Sequence, residues 1–148
     1  MNKRERFMNF LQGKPVDRVP VAFFHHFIGP DEWGKGLVNE SAFERNIEGH
    51  RIAREKFDPD VIKIMNDSLM IMEIDTSFVK TADDLRKVQA PALDSAYVQK
   101  SIELTKRVCE IYKDSDAPIY VTGFSPSFVL RNGLMTEGIP GEGDESKL

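Results

Sequence analysis

The stretch KFDPDVIKIMNDSL, residues 56–69, carries the pattern that decides the fold class. Asp58 and Pro59 stop a preceding helix, because the residue before a proline is biased away from helical backbone. The mostly apolar run at 60–65 follows at once and predicts a strand. A polar triplet at 66–68 then marks the point where that strand ends. The order is therefore helix end, strand and polar strand end.

A helix and an earlier strand are predicted on the N-terminal side of this stretch. Ser41 and Glu44 match a capping box, which opens a helix over residues 42–57. The mostly apolar run at 18–24 suits a strand buried on both faces. A loop rich in glycine and aromatic residues, 25–39, joins this strand to the helix.

Capping residues and a proline organise the beginning of the chain. Asn2 and Glu5 fit the start of a helix, and Gly13 stands where its C-terminal cap belongs. We therefore predict a short amphipathic helix between them. Pro20 restricts the strand at 18–24 to a strand start or to an edge that still lacks its neighbour.

The C-terminal side is predicted to begin with two further helices. Thr81 and Asp84 open a short helix, and Asp94 or Ser95 caps a longer one through Lys113. The longer helix has an apolar face that predicts packing on a sheet. That face comprises Val98, Ile102, Thr105, Cys109 and Tyr112 and is widened by Leu104, Val108 and Ile111. On this interpretation the Cys109 thiol is buried and inert.

A third strand, a further helix and a tail complete the predicted order. Residues 117–122 form the strand, and a helix begins near Phe128. Residues 138–148 lose all apolar periodicity, so we expect a mobile tail after one domain at 1–137. Strands separated by helices predict an α/β fold with parallel strands.

The composition excludes several classes of protein. The 24 acidic and 20 basic side chains give a net charge of −4 without a basic block, so we expect no nucleic-acid partner. No apolar run approaches the ~20 residues that span a bilayer, and we expect no membrane partner. The single Cys109 and the absence of a signal-peptide core predict a cytoplasmic protein. No zinc-ligand spacing is present, so we predict no metal.

Motifs must separate the α/β folds, because barrels and doubly wound sheets use the same βαβ unit. A dinucleotide-binding sheet would place Gly-x-Gly-x-x-Gly after its first strand, where residues 25–30 read HHFIGP. A flavodoxin-like domain needs a helix that follows each strand closely, and the loop at 25–39 argues against it.

Three segments resemble the uroporphyrinogen decarboxylase superfamily, which includes methyltransferases acting on corrinoid proteins. Residues 3–21 look like its entry helix, turn and first strand, and residues 56–69 are similar to the strand that carries its active-site aspartate. Residues 117–126 are similar to its Gly-Phe-x-Gly-x-Pro strand end. The resemblance implies a partial (β/α)8 TIM barrel with an N-terminal helix and the first three parallel βα units. A closed barrel takes about 250 residues, so we expect self-association or a partner chain to complete it.

The resemblance also implies a catalytic residue. In the family's decarboxylases the aspartate matching Asp67 stabilises the cation that forms when a pyrrole carbon is protonated, so that carbon dioxide leaves without a cofactor. A fixed carboxylate in a low-dielectric pocket favours a nearby positive charge. The resemblance therefore implies a small-molecule substrate, a tetrapyrrole or a methyl donor. The alternative interpretation of Asp67 is a cap after a strand.

The ends of barrel strands supply the remaining candidates, because active sites form there. We place His25, His26, Asn66, Phe124 and Ser125 at the substrate site. Neighbouring residues in extended backbone point to opposite sides, so at most one histidine faces the site. Each candidate also has a structural interpretation: a loop histidine, a turn asparagine or a core phenylalanine. We expect His50 on the helix surface.

Departures from the family leave three functions open. Uroporphyrinogen decarboxylases carry an arginine-rich segment after the first strand, whereas residues 23–30 contain no arginine, so an eight-carboxylate substrate would find few partners. The corrinoid methyltransferases bind zinc in a later half that these residues do not include. Decarboxylation, corrinoid-dependent methyl transfer and a non-catalytic half-barrel or truncated remnant acting only through assembly remain as alternatives.

Overall fold

The computed structural model describes residues 1–72 and 74–136, and for Met135 and Thr136 it describes the backbone alone. The α-helices are α1 (Lys3–Leu11), α2 (Glu40–Phe57), α3 (Ala96–Ile111) and α4 (Pro126–Thr136). The strands are β1 (Ile62–Ile64) and β2 (Ile119–Val121), and 3-10 turns occupy Pro30–Glu32 and Ala82–Lys87. The predicted tail at 138–148 lies outside the described residues. No helix in the described ranges is long and apolar enough to cross a bilayer.

The sheet confirms an α/β arrangement with parallel strands. Strands β1 and β2 pair in parallel, with Ile62 opposite Ile119. Ala22 forms a parallel bridge with Val61 on the other side of β1. Three segments of the chain therefore lie side by side in their sequence order, with β1 in the middle.

The prediction of a buried strand at 18–24 is wrong. The segment contributes only the bridge at Ala22, and Val19 and Phe24 are 69% and 67% exposed. Pro20 has no N–H for a ladder, and no second strand covers the outer edge of this segment among the described residues. The apolar run therefore has nothing to bury it.

The helix boundaries follow capping chemistry. Asn2 accepts a hydrogen bond from the Glu5 N–H at 2.7 Å, and Gly13 has a positive φ of 66° just after α1, as predicted. Helix α2 begins two residues earlier than predicted, because Asn39 and not Ser41 is its cap and accepts from the Ala42 N–H at 3.1 Å. Asn39, two residues before Ser41, satisfies one of the N–H groups that the first turn leaves without a partner.

The later helices match the prediction with shifted ends. Ser95, one of the two predicted caps, accepts from the Val98 N–H and opens α3. The short helix after Thr81 is a 3-10 helix in which the Asp84 carboxylate accepts from the Thr81 N–H and hydroxyl. Helix α4 begins at Pro126, a residue type that suits the first helical position, where its missing N–H costs nothing.

The core lies on one face of the sheet. Ile62 and Ile64 point to the same side of β1 and pack with buried residues of α2 and α3. They are Ala42, Phe43 and Ile47 of α2, Leu104 and Val108 of α3, and Tyr112 directly after α3. The opposite face of the sheet therefore carries Lys63 and its neighbour Tyr120.

The face of α3 that packs on the core matches the predicted one only in part. Leu104 and Val108 are the buried residues of the helix, whereas Ile102 is 42% exposed and Cys109 is exposed. The predicted stripe and the residues that widen it are neighbours on the helix, so apolar spacing alone did not decide which one meets the sheet. The prediction of a buried Cys109 thiol is therefore wrong.

Candidate functional site

The C-terminal ends of the two strands are fastened to each other by Asn66. Its Nδ2 donates to the Thr122 carbonyl at 3.0 Å, and its Oδ1 accepts from the Thr122 N–H at 3.3 Å. Both polar atoms of the side chain are thus used within the protein. Asn66 aligns the strand ends and fixes the backbone next to Asp67.

Asp67 follows β1 and forms an ion pair with a lysine of the same strand. The Lys63 Nζ lies 2.6 Å from Asp67 Oδ2, and the two side chains are only 5% and 17% exposed. The other oxygen, Oδ1, is buried and accepts no hydrogen bond among the described residues. An unpartnered buried carboxylate oxygen costs free energy unless a ligand donates to it.

Lys63 also contacts an aromatic side chain beside the sheet. Its Nζ lies 4.9 Å from the centre of the Phe24 ring, and Phe24 lies 6.4 Å from the ring of Tyr120. Burial and the negative charge of Asp67 together raise the pKa of Tyr120. Sequence reasoning missed Lys63, although a lysine inside an apolar strand and four residues before Asp67 was a usable signal.

A cavity of about 190 Å³ brings Asp67 and Phe124 together. Ser68 and Trp33 also line it, with Tyr97 of α3 and Phe128 of α4. Phe124 and Phe128 stack with their ring centres 4.6 Å apart. Two predicted site residues from different strand ends therefore share one mostly apolar cavity that includes four aromatic side chains.

The glycines of the 25–39 loop allow Trp33 to approach this cavity. Gly34 has a φ of 76°, and its N–H donates to the Ser68 carbonyl at 2.8 Å. A side chain on Gly36 would meet Leu69 within 2.7 Å. Gly34 and Gly36 thus let the loop backbone pack directly on the chain that follows β1.

The two predicted histidines are not brought together. The ring centre of His26 lies 5.0 Å from that of Trp33, and Trp33 lines the cavity beside Asp67. His25 lines a separate cavity of about 200 Å³ that also includes His50 and Phe27. Both predicted histidines are exposed. The alternation of side chains in extended backbone explains why they face different surroundings.

His50 is buried, so the expectation that it lies on the surface is wrong. It is 2% exposed, and its Nε2 accepts from the Met65 N–H at 3.1 Å. Burial lowers its pKa from 6.5 to about 4. His50 falls on the same helix face as the core residues Phe43 and Ile47, and that i, i+4, i+7 spacing was the signal available in the sequence.

Ser125 has a local role. Its Oγ accepts from the Phe128 N–H at 3.2 Å at the beginning of α4. This bond caps the helix that presents Phe128 to the cavity. Within residues 1–72 and 74–136, no three His, Cys, Asp or Glu side chains come together in a group that would hold a metal ion.

No family model, no curated protein and no solved structure matches this chain.

Proposed function

We propose that the chain forms the first βα units of a uroporphyrinogen decarboxylase-like barrel, in which Asp67 stabilises positive charge on the substrate during decarboxylation. The observation that carries this proposal is the buried, unpartnered Oδ1 of Asp67 in a residue that lines an aromatic cavity after β1. Ligand sites of parallel α/β proteins form at this end of the strands.

The order of the parallel segments supports the barrel. The Ala22 segment, β1 and β2 are neighbours in sequence order, as consecutive strands of a barrel are. In a flavodoxin-like sheet the first strand lies between the second and third. Helices α2 and α3 both pack on the face that carries Ile62 and Ile64, which corresponds to the outside of a barrel.

The proposed reaction uses Asp67 as an electrostatic catalyst. A proton adds to a ring carbon of a pyrrole, and the ring nitrogen carries the positive charge with its N–H directed at Asp67 Oδ1. The proton comes from water. The carbon–carbon bond to the carboxylate then breaks, its electron pair neutralises the ring, and carbon dioxide leaves. Where the carboxylate sits on a carboxymethyl group, the resulting exocyclic methylene takes a second proton from water and the ring carbon releases the first, which gives a methyl group on a neutral pyrrole. Lys63 holds Oδ2 and so keeps the carboxylate in position. No cofactor enters these steps.

The size of the cavity sets what it holds. A cavity of roughly 150 Å³ accommodates benzene, so about 190 Å³ accommodates one five- or six-membered ring with short substituents. We therefore propose that one pyrrole ring of the substrate occupies the cavity between Trp33 and Phe124. The rest of a larger substrate lies outside it.

The test is release of carbon dioxide from uroporphyrinogen and from single-ring pyrrole carboxylates. We expect Asp67→Asn to lower the rate by at least about a hundredfold, the usual loss when one transition-state partner is removed. Asp83→Asn is the matched control, because its side chain is 95% exposed and it loses the same charge. An inactive wild type, or equal rates for Asp67→Asn and wild type, would contradict the proposal. Methyl transfer from methylcobalamin to a thiol, tested in parallel, would instead support the corrinoid alternative.

A second candidate function is assembly without catalysis. Phe24 and Tyr120 lie beside Lys63 with their ring centres 6.4 Å apart, and the two residues are 67% and 38% exposed. Exposed aromatic side chains on a sheet face are typical of an association surface. Light scattering that gives a mass above 16.8 kDa, lowered by Phe24→Ser, would favour this function if no reaction is found.

A further inference from the structure

We infer that the cavity beside Asp67 binds a small organic cation, an ammonium group carried on a single flat ring. This inference concerns binding and goes beyond the proposed decarboxylation. It rests on three features of the cavity: an acceptor without a donor, an aromatic lining and the charges of its lining residues.

The acceptor is Asp67 Oδ1, and a comparison with Asp60, the aspartate at the other end of β1, shows what it lacks. Asp60, just before β1, takes two cations: Arg6 donates to it at 2.6 Å and Arg18 at 2.8 Å. Asp67 takes only Lys63 and leaves Oδ1 bare. Asp60 thus binds two cationic groups. Asp67 binds one, and the cavity of about 190 Å³ beside it has room for another.

A second acceptor belongs to the next residue of the chain, which lines the same cavity. The Ser68 side chain is buried, and its Oγ has no hydrogen-bond partner among the described residues. An ammonium group has up to three N–H donors, so it can donate to more than one such acceptor. A neutral hydroxyl supplies only one donor, and a carboxylate supplies none.

The remaining lining suits the apolar body of such a cation. Trp33, Tyr97, Phe124 and Phe128 surround the space, and aromatic ring faces attract cations. Among the described residues that line it, Asp67 carries the only formal charge. Because no lysine, arginine or histidine is among them, the lining itself does not favour an anion.

Trp33 makes the inference directly measurable, because it is the only tryptophan of the chain. Its fluorescence is titrated at neutral pH with benzylammonium, with benzyl alcohol of the same shape and with benzoate. We expect a saturable change with benzylammonium, with at least about tenfold weaker binding of benzyl alcohol and none of benzoate. A charge-assisted hydrogen bond is worth about 1.5–3 kcal/mol, and 1.4 kcal/mol corresponds to tenfold in affinity.

Two variants and one control connect the binding to the residues. Asp67→Asn keeps the shape and should weaken benzylammonium at least about tenfold, while leaving benzyl alcohol unchanged. Phe124→Leu leaves the ion pair intact and should weaken benzylammonium severalfold through loss of the ring. Asp83→Asn, a charge loss at an exposed position, should bind as wild type does. Circular dichroism checks that each variant is folded.

Equal affinity for benzylammonium and benzyl alcohol in the wild type would overturn the inference, as would undiminished benzylammonium binding by folded Asp67→Asn. If Asp67→Asn does not fold, Phe124→Leu decides by the same comparison. A chain that binds benzylammonium but releases no carbon dioxide keeps this inference and loses the proposed reaction. A chain that decarboxylates a pyrrole but shows no preference for the cation keeps the proposed reaction and loses this inference.

Discussion

The two ends of β1 each place an aspartate in a low-exposure position, and the two carboxylates are treated differently. Asp60, before the strand, receives Arg6, Arg18 and the Val21 N–H. Asp67, after the strand, has one partner and one bare oxygen. The surroundings therefore distinguish a carboxylate that holds the fold from one that is available to a ligand.

The difference also appears in what lies beyond each carboxylate. Arg6 joins Asp60 to Asp17, so the N-terminal end of β1 is tied to α1 and to the turn after it. Burial of Asp60 favours its neutral form, but the hydrogen bonds from Arg18 and Val21 outweigh it and lower its pKa. Asp67 instead borders a cavity. Both oxygens of the Asp60 carboxylate accept hydrogen bonds, whereas Oδ1 of Asp67 accepts none among the described residues.

The same substitution at the two aspartates gives the sharpest test of this comparison. We expect Asp60→Asn to lower the free energy of unfolding by about 3–5 kcal/mol, because it breaks a buried charge network and leaves Asp17 as the only carboxylate paired with the buried Arg6. Urea unfolding followed by circular dichroism measures the change. A loss below about 1 kcal/mol would mean that the network contributes little and that the comparison fails at its strongest point.

The second prediction concerns how acid affects stability through His50, at the C-terminal end of β1. His50 fixes the C-terminal end by accepting the Met65 N–H, and burial lowers its pKa from 6.5 to about 4. The unfolded chain therefore binds a proton in this interval that the folded chain does not. We expect the free energy of unfolding to fall by up to about 3 kcal/mol as pH decreases from about 6.5 to about 4.

The control for this pH dependence is a variant that cannot titrate. His50→Gln should be less stable at neutral pH but lose most of the slope between these pH values. His25, Lys63 and Tyr112 line the cavity around His50, so His25→Gln serves as the matched comparison and should retain the slope. A slope that survives in His50→Gln would assign the effect to another group.

The smallest effect on stability is expected at the candidate site itself. Asp67→Asn retains an oxygen that accepts from Lys63 but removes the negative charge beside this nearly buried ammonium. We therefore expect a loss of about 1–3 kcal/mol in urea unfolding, below that of Asp60→Asn, which weakens pairs with two arginines. This loss should be smaller than the loss measured for Asp60→Asn. Equal losses at the two positions would indicate that Asp67 is a structural ion-pair partner and would remove the stability argument for a site.

The sequence predicted the elements that depend on local chemistry. The caps at Asn2, Gly13 and Ser95 were correct because each satisfies orphan groups within its own turn. The strand at 60–65 was correct in kind, since its central residues form β1. The strand at 18–24 was wrong because its apolar pattern depends on a neighbour that the described residues do not supply.

The candidate site was predictable only in part. Asp67 and Phe124 were singled out from the ends of predicted strands, and both line one cavity. Lys63, Trp33 and Ser68 were missed, because a residue's contribution to a cavity depends on how distant segments pack. His50 and Cys109 were misplaced for the same reason. Apolar spacing does not decide which of two adjacent stripes on a helix faces the core.

By itself the sequence determined where helices begin and end and that a strand ends in a polar triplet, because those features arise from hydrogen bonds between near neighbours. Only the tertiary structure decided that Asp60 is saturated and Asp67 is not. The deciding contacts join residues far apart in the chain, 42 positions for Arg18 with Asp60 and 56 for Asn66 with Thr122. Such pairings depend on strand register and helix packing, which local residue patterns do not specify.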